Sequence, residues 1–343
     1  MCRDDKPKVR PPVEVIRPVA RPACAEPRLR FGEGRRLWAA GRNTRKARRN
    51  GMSKNARPRR SILYMPGSNA RALEKGRTLA ADGLILDLED AVAPDAKEEA
   101  RGRIRDAIKE GGYAKRELIV RVNAMDTSWG HDDLVAAATM GADAVLLPKV
   151  ETASTVHRAE AILKTSGAAD DLALWCMMET PLGMLHAEEI SEASPRVGAL
   201  VMGTSDLAKD LQCAHTRDRG AFITSLGLCL LAARAVGIAI LDGVHLDLND
   251  DEGFEHACRQ GAEWGFDGKT LIHPKTIDAA NKAFAPSPEE VEWSKKIITA
   301  HAEAAQDGKG IVVVDGKLIE NLHVLNAERL VTMAQAIEEM ENA

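Results

Sequence analysis

The sequence predicts an α/β chain built as a (β/α)₈ barrel with a C-terminal extension of helices and a hairpin. Three observations point there. Eight units of strand followed by helix run from Arg60 to about Ala285, in about 225 residues, the count and size of such a barrel. The strand segments are near-continuous apolar runs, as a parallel sheet covered by helices requires. A doubly wound open sheet is the alternative, but no GxGxxG turn follows the first strand.

The first unit is SILYMPG (61–67), closed by Pro-Gly, with apolar residues at helical spacing over 70–81. GLILDLED (83–90) precedes an amphipathic helix over 96–111 that ends at a glycine. ELIVRVN (117–123) precedes the DDLVAAATMG helix, and AVLLPKV (144–150) a helix over about 154–165. LALWCMMETP (172–181) leads into the helix LGMLHAEEISEA, and VGALVMGTSD (197–206) into a long helical stretch to Ala235. IAILDGV (238–244) precedes DEGFEHACRQGAEWG, and FDGKTLIHP (266–274) a helix to about Ala285. Beyond lie a charged helix (288–306), a hairpin GIVVVDGKLIE (310–320) turning at Asp315 and Gly316, and a last helix. The expected organisation is a basic disordered extension over 1–58, the barrel over 59–286, and over 287–343 an extension that covers an active site, its own or a neighbour's.

Composition narrows the function. Residues 1–60 hold 15 Arg and 4 Lys against 5 acids, whereas the remainder is acidic, so the body is not expected to bind nucleic acid. The first sixty residues are too poor in apolar periodicity to fold alone. They read as an extension upstream of Met52 or a functionless tail; a basic binding arm and a transit peptide are the alternatives, and a single serine argues against the latter. No apolar run reaches the roughly 20 residues of a membrane span. Six cysteines without a CxxC pair read as reduced thiols in a cytoplasmic protein.

Barrel chemistry sits at the strand C-termini. Those ends carry Asp87, Glu89 and Asp90; Arg121 and Asn123; Lys149; Glu179, Thr180 and Pro181; Gly203, Thr204, Ser205 and Asp206; Asp242; and His273. Glu179 and Asp206 end adjacent strands and offer hard oxygens without Cys or His nearby, a set that favours Mg²⁺ over zinc. Alternatively they cap the following helices or pair with Lys149 and Arg121. Arg121 suits a carboxylate or an enolate oxygen, or a salt bridge to the acids of DLED. His273 by itself reads as a structural histidine. The loop MPGSNARALEKGR places Arg71, Lys75 and Arg77 at a helix start, either as a phosphate site or as a solvated helix face.

Taken in order, RSILYMPGSNARALEKGR, LILDLEDAVAPDAKEEAR, VRVNAMDT, LLPKVE, METPLGML, VMGTSDLAKDL, LDGV and FDGKTLIHPKTI resemble the citrate lyase β-subunit-like branch of the HpcH/HpaI aldolase family, from about Arg60 to Ala336. Within that branch the sequence is most similar to malyl-CoA, methylmalyl-CoA and citramalyl-CoA lyases and malyl-CoA thioesterases. The resemblance implies a barrel of the phosphoenolpyruvate/pyruvate type that forms homo-oligomers, trimers or hexamers. It also implies Mg²⁺, or Mn²⁺, on Glu179 and Asp206, and Arg121 in catalysis. CoA, carried as part of an acyl-CoA substrate, is expected against Arg71, Lys75 and His273. The family's C-terminal acid, supplied by an adjacent subunit, falls on Glu320 in DGKLIEN, a glutamate where the lyases have aspartate.

The expected reaction is retro-Claisen cleavage of a 3-hydroxyacyl-CoA to acetyl- or propionyl-CoA plus glyoxylate or pyruvate. Hydrolysis of (3S)-malyl-CoA is the alternative. A citrate lyase β-subunit-like or non-CoA hydroxyacid aldolase and a non-catalytic scaffold barrel are further readings. A scaffold would be expected to lack Arg121, Glu179 and Asp206, all of which are present.

Overall fold

The computed structural model describes residues 57–306, 308 and 310–342; of the extension expected over 1–58, residues 1–56 lie outside the described residues. Eight parallel strands close into a barrel in chain order. They are β1 (Ser61–Pro66), β2 (Gly83–Asp87), β3 (Glu117–Arg121), β4 (Ala144–Leu147), β5 (Ala173–Met178), β6 (Val197–Met202), β7 (Ala239–Asp242) and β8 (Gly268–Leu271). Closure comes from β8 against β1, with Ile62 opposite Thr270 and Leu63 opposite Leu271. The protein is thus a (β/α)₈ barrel.

Side-chain alternation divides the core in two. Ile62, Ile85, Ile119, Leu146, Trp175, Val201 and Leu241 point inward and fill the barrel with large apolar groups. Leu63, Leu84, Leu86, Val120, Val145, Leu174 and Leu200 point outward and pack under the helices. The strands are apolar on both faces because both are buried, which is why they read as continuous runs.

The helices in order are α1 (Ala70–Gly76), α2 (Lys97–Glu110), α3 (Gly130–Ala137), α4 (Ala153–Thr165), α5 (Pro181–Leu185), α6 (Ala187–Glu192), α7 (Thr204–Leu211), α8 (Ile223–Val236), α9 (Asp251–Trp264) and α10 (Ile277–Phe284). Three differ from the periodicity. The first stops at Gly76, five residues early, where Thr78 Oγ1 donates to the Lys75 carbonyl at 3.1 Å. The helix after β5 breaks at His186, which leaves helical geometry and donates Nδ1–H to the Glu151 carbonyl at 2.8 Å. The long stretch after β6 is two helices, because Gln212 turns left-handed (φ 54°) and ends α7.

After the barrel, α11 (Pro288–Gln306), β9 (Val312–Val314), β10 (Lys317–Ile319) and α12 (Asn321–Glu341) form a small unit. It has its own core of Ile297, Val314, Ile319, Val324 and Ala327. The hairpin turns at Asp315 (φ 48°) and Gly316 (φ 77°), the two left-handed positions of a tight two-residue turn. The last turn of α12 is tied to the strand N-termini: Glu341 meets Arg60 at 3.0 Å, and Lys115 Nζ donates to the Glu339 carbonyl at 3.0 Å. In this chain, therefore, the end of the extension is anchored at the barrel mouth opposite the strand C-termini.

Candidate active site at the strand C-termini

Above the apolar filling, inward positions become polar. Tyr64 on β1 and Met177 on β5 form the floor, and Arg121 closes β3 above them, its guanidinium 4.8 Å from the Tyr64 ring centroid. Arg121 Nε and Nη2 each donate to an Asp87 oxygen at 2.6 Å. Its Nη1 lies 2.9 Å from Glu89 and 3.3 Å from Asp90. Of the two roles open to Arg121, the salt bridge to the DLED acids is the one it performs here, and only 7% of its side chain is exposed. Asp87 also accepts from the Glu89 and Ala91 N–H groups at 2.9 and 3.0 Å. These bonds turn the chain, so β2 ends at Asp87 and not at Asp90.

Across the mouth, Glu179 follows β5. Thr180 caps α5 by accepting the Gly183 N–H at 3.1 Å, and Pro181 opens that helix, so the ETP run fixes the exit angle of the strand. Glu179 Oε1 accepts the Lys149 backbone N–H at 2.7 Å. Its Oε2 lies over Gly203, where an added Cβ would stand 2.4 Å from that oxygen, so only glycine leaves room. Asp206 is half-buried in the first turn of α7 and, among the described residues, forms no ion pair; no side chain caps α7, whose N-cap is Gly203. The alternative role for Asp206 as a cap is therefore not used.

Burial pushes the Glu179 carboxyl up to about 7, and repulsion from Glu89 and Asp206 adds to it. Glu89 is likewise raised to about 7, by burial against the pull of Arg121. Lys149 is lowered by burial, but Glu89, Glu179 and Asp206 outweigh this and hold it above its ordinary value. Too little positive charge stands here for the carboxylates present. Among the described residues, no group of three His, Cys, Asp or Glu side chains is assembled to hold a metal ion by itself. Glu179 and Asp206 offer two carboxylates, which leaves further coordination positions to water or ligand oxygens.

The peripheral candidates fall into two sets. Arg71 and Lys75 are exposed on α1, at the C-terminal end of β1, and form no ion pair among the described residues. Arg77, by contrast, pairs with Glu74 and Glu110 and stacks on Tyr113. His273 is exposed and accepts the Lys275 N–H on Nδ1 at 3.1 Å, the structural role its sequence position suggests. Asp242 is buried between Arg219 (2.7 Å) and Lys269 (2.9 Å) on the outer side of β7, beside Gly261 of α9, so it belongs to the packing of that unit. Glu320 precedes α12, and its backbone N–H donates to His323 Nδ1 at 3.0 Å. It is not brought to Arg121 within this chain.

One contributor, and the backbone conformation of another, escape a reading of strand ends. Tyr64 lies two residues beyond inward-facing Ile62, so strand alternation alone would have placed it in the mouth. Lys149 adopts a left-handed backbone (φ 49°), and no residue-type signal announces this at a lysine.

Comparison with known proteins gives four findings. A profile described as HpcH/HpaI aldolase/citrate lyase matches residues 60–274. The chain is 50% identical over 286 residues to a (3S)-malyl-CoA thioesterase of Cereibacter sphaeroides (strain KD131 / KCTC 12085), covering 83% of this chain and 98% of the relative. It is 36% identical over 283 residues to citrate lyase subunit beta of Escherichia coli (strain K12), covering 81% of this chain and 93% of the relative. Among solved structures, CitE from Mycobacterium tuberculosis, in complex with magnesium, acetoacetate and coenzyme A, superposes with a TM-score of 0.66 at 30% identity, over 82% of this chain and 99% of that one.

Proposed function

Because the chain belongs to the HpcH/HpaI aldolase/citrate lyase family, we propose that it is an enzyme of short 3-hydroxyacyl-CoA thioesters, and that it hydrolyses (3S)-malyl-CoA to malate and CoA. The observation that carries this is the 50% identity to a (3S)-malyl-CoA thioesterase across 98% of that relative.

The donor chemistry fits a hard divalent cation. Glu179, already steered by the Lys149 N–H, and uncommitted Asp206 offer oxygens alone, and the raised Glu179 carboxyl marks negative charge awaiting a counterion. Those two residues would hold Mg²⁺, with Mn²⁺ an acceptable substitute; when bound it supplies a Lewis acid for the hydroxyl and carboxylate oxygens of the acyl group. The remaining work falls to the chain. Arg71 and Lys75 on the rim offer uncommitted cations to the phosphates of CoA. Arg121 holds Asp87 and Glu89 in place and so positions the acidic wall that faces the reacting group. Glu89, near neutrality, is suited to take a proton on Oε1 from an attacking water. The Tyr64 and Met177 floor keeps bulk water from the underside.

Cleavage to glyoxylate and acetyl-CoA is the second reading, favoured by the 36% identity to citrate lyase subunit beta. It needs an acid–base group at the enolate carbon. Glu320 could supply that group only from a second copy, since in its own chain it lies at the head of α12. Exposed Leu185 and Leu231 on α5 and α8, with Val313 and Leu318 on the hairpin, support a homo-oligomer. Among the described residues no helix is long and apolar enough to cross a membrane, and Cys176, Cys213, Cys229 and Cys258 are free thiols, which support a cytoplasmic enzyme.

The test is product identity. Incubation with (3S)-malyl-CoA and Mg²⁺, beside a thiol reagent and phenylhydrazine, should release free CoA without glyoxylate phenylhydrazone. Stoichiometric phenylhydrazone replaces hydrolysis with cleavage. Neither product, from this ester or from citramalyl- and methylmalyl-CoA, removes the proposal.

A further inference from the structure

Among the described residues the mouth contains five carboxylates, on Asp87, Glu89, Asp90, Glu179 and Asp206, and two cations, on Arg121 and Lys149. The cations are not equivalent. Every nitrogen of Arg121 already faces Asp87, Glu89 or Asp90, and its side chain is nearly inaccessible. Among the described residues Lys149 has one ion pair, a loose one of 3.6 Å to Glu89, and 47% of its side chain is exposed. Its ammonium has three donors, and most of that capacity is unspent.

The backbone sharpens the point. Lys149 sits at φ 49°, a region that glycine enters freely and a Cβ-bearing residue enters at a cost. The left-handed turn aims its N–H at Glu179 Oε1. Glycine would make the same bond with less strain, so the N–H alone gives no reason for a lysine. The side chain is what the position adds, and it overhangs a cluster of like charges that a further anion could enter only beside a cation.

We propose that Lys149 is a substrate-binding residue whose ammonium receives the free carboxylate of the acyl group, making the site selective for dicarboxylic over monocarboxylic 3-hydroxy acids. This deepens the reading of the chain as a 3-hydroxyacyl-CoA enzyme and rests on it. Arg121 then organises the acidic wall, and Lys149 reads the substrate.

Calorimetric titration of the full chain in Mg²⁺ tests the assignment without turnover. The probes are (S)-malate, (R)-3-hydroxybutyrate, which has the same arrangement in space but lacks the second carboxylate, and 3′,5′-ADP for the nucleotide end of CoA. Lys149→Met and Lys149→Gly should each weaken malate about ten- to a hundred-fold, the worth of a charged hydrogen bond. Lys149→Arg should stay within a few-fold, and affinity for the other two probes should not move. Circular dichroism checks that each variant is folded. Glycine matching the wild type would reduce the position to its backbone and overturn the proposal. Equal losses for malate and hydroxybutyrate, loss of 3′,5′-ADP affinity, or no malate binding by the wild type would overturn it too. The outcomes separate the two readings. Lys149-dependent malate binding without CoA release from malyl-CoA defeats the hydrolysis alone. An active enzyme whose Lys149→Met variant binds malate normally defeats the lysine alone.

Discussion

The two mouths of the barrel are built on the same device and differ in charge. At the strand N-termini, Arg59 donates to both oxygens of Glu117, at 2.6 and 2.8 Å, with its guanidinium 5.3 Å from the Trp175 ring. At the C-termini, Arg121 grips Asp87 in the same forked manner over Tyr64. Strand β3 carries one member of each pair, Glu117 and Arg121, four residues apart and so on the same inner face. Below, the charges balance: Arg57 stands 3.7 Å from Glu117 as a second cation and pairs with a second acid, Asp143, at 3.1 Å. Above, Glu89, Glu179 and Asp206 exceed the cations, and two carboxyls are pushed up to about 7. A buried fork closes a barrel end; the same fork with surplus acids beside it makes a site that awaits a cation and a substrate.

The comparison breaks most visibly at Glu179. Glu179→Gln keeps the acceptor for the Lys149 N–H but removes the charge. Turnover should fall at least about 1,000-fold, in line with loss of a charge-stabilising group, while the metal-free Tm stays level or rises. A large fall in Tm would show that the upper acids are structural after all. Glu117→Ala should do the converse. It leaves Arg59 buried without its partner and should cost about 3–5 kcal/mol of stability, read by denaturant titration, with the KM of the folded enzyme unchanged.

Acidity gives a smaller effect. A carboxyl held near 7 in the fold and near 4.5 when unfolded stabilises the protein below the lower value, and that contribution is lost as pH rises through about 7. Metal-free protein should therefore lose about 5 °C of Tm between pH 5.5 and 8. Glu179→Gln should flatten the slope, and Mg²⁺ should stabilise more at pH 8 than at pH 6. An unchanged slope in the variant would remove Glu179 as its source. At the rim, the double change of Arg71 and Lys75 to Ala should raise KM for the CoA ester about ten-fold with kcat unaffected. An unaltered KM would return them to a solvated helix face.

Much of this was legible beforehand because of where burial falls. Strands covered on both faces must be apolar throughout, so their ends show as abrupt polar residues, and Arg121, Glu179 and Asp206 each mark such an end. The hairpin turn was legible because two consecutive left-handed positions favour Asp315 and Gly316. The break at Gln212 was not, since glutamine is an ordinary helix residue and tertiary context turns it left-handed. Lys149 stood among the strand-end residues, but its left-handed backbone was hidden for the same reason. Asp242 stood at a strand end like the others, but an outward position commits it to Arg219 and Lys269, and only the register reveals which way it faces. Glu320 reads as a site residue by resemblance, yet its own chain holds it at the head of a 21-residue helix, about 30 Å long, whose far end is bound to the lower mouth.

The most direct measurement is anomalous diffraction from a crystal soaked in Mn²⁺. The account predicts a single strong peak between the Glu179 and Asp206 carboxylates, absent from Glu179→Gln crystals and from the lower mouth beside Glu117. An upper mouth without that peak, at a Mn²⁺ concentration that supports turnover, would contradict it.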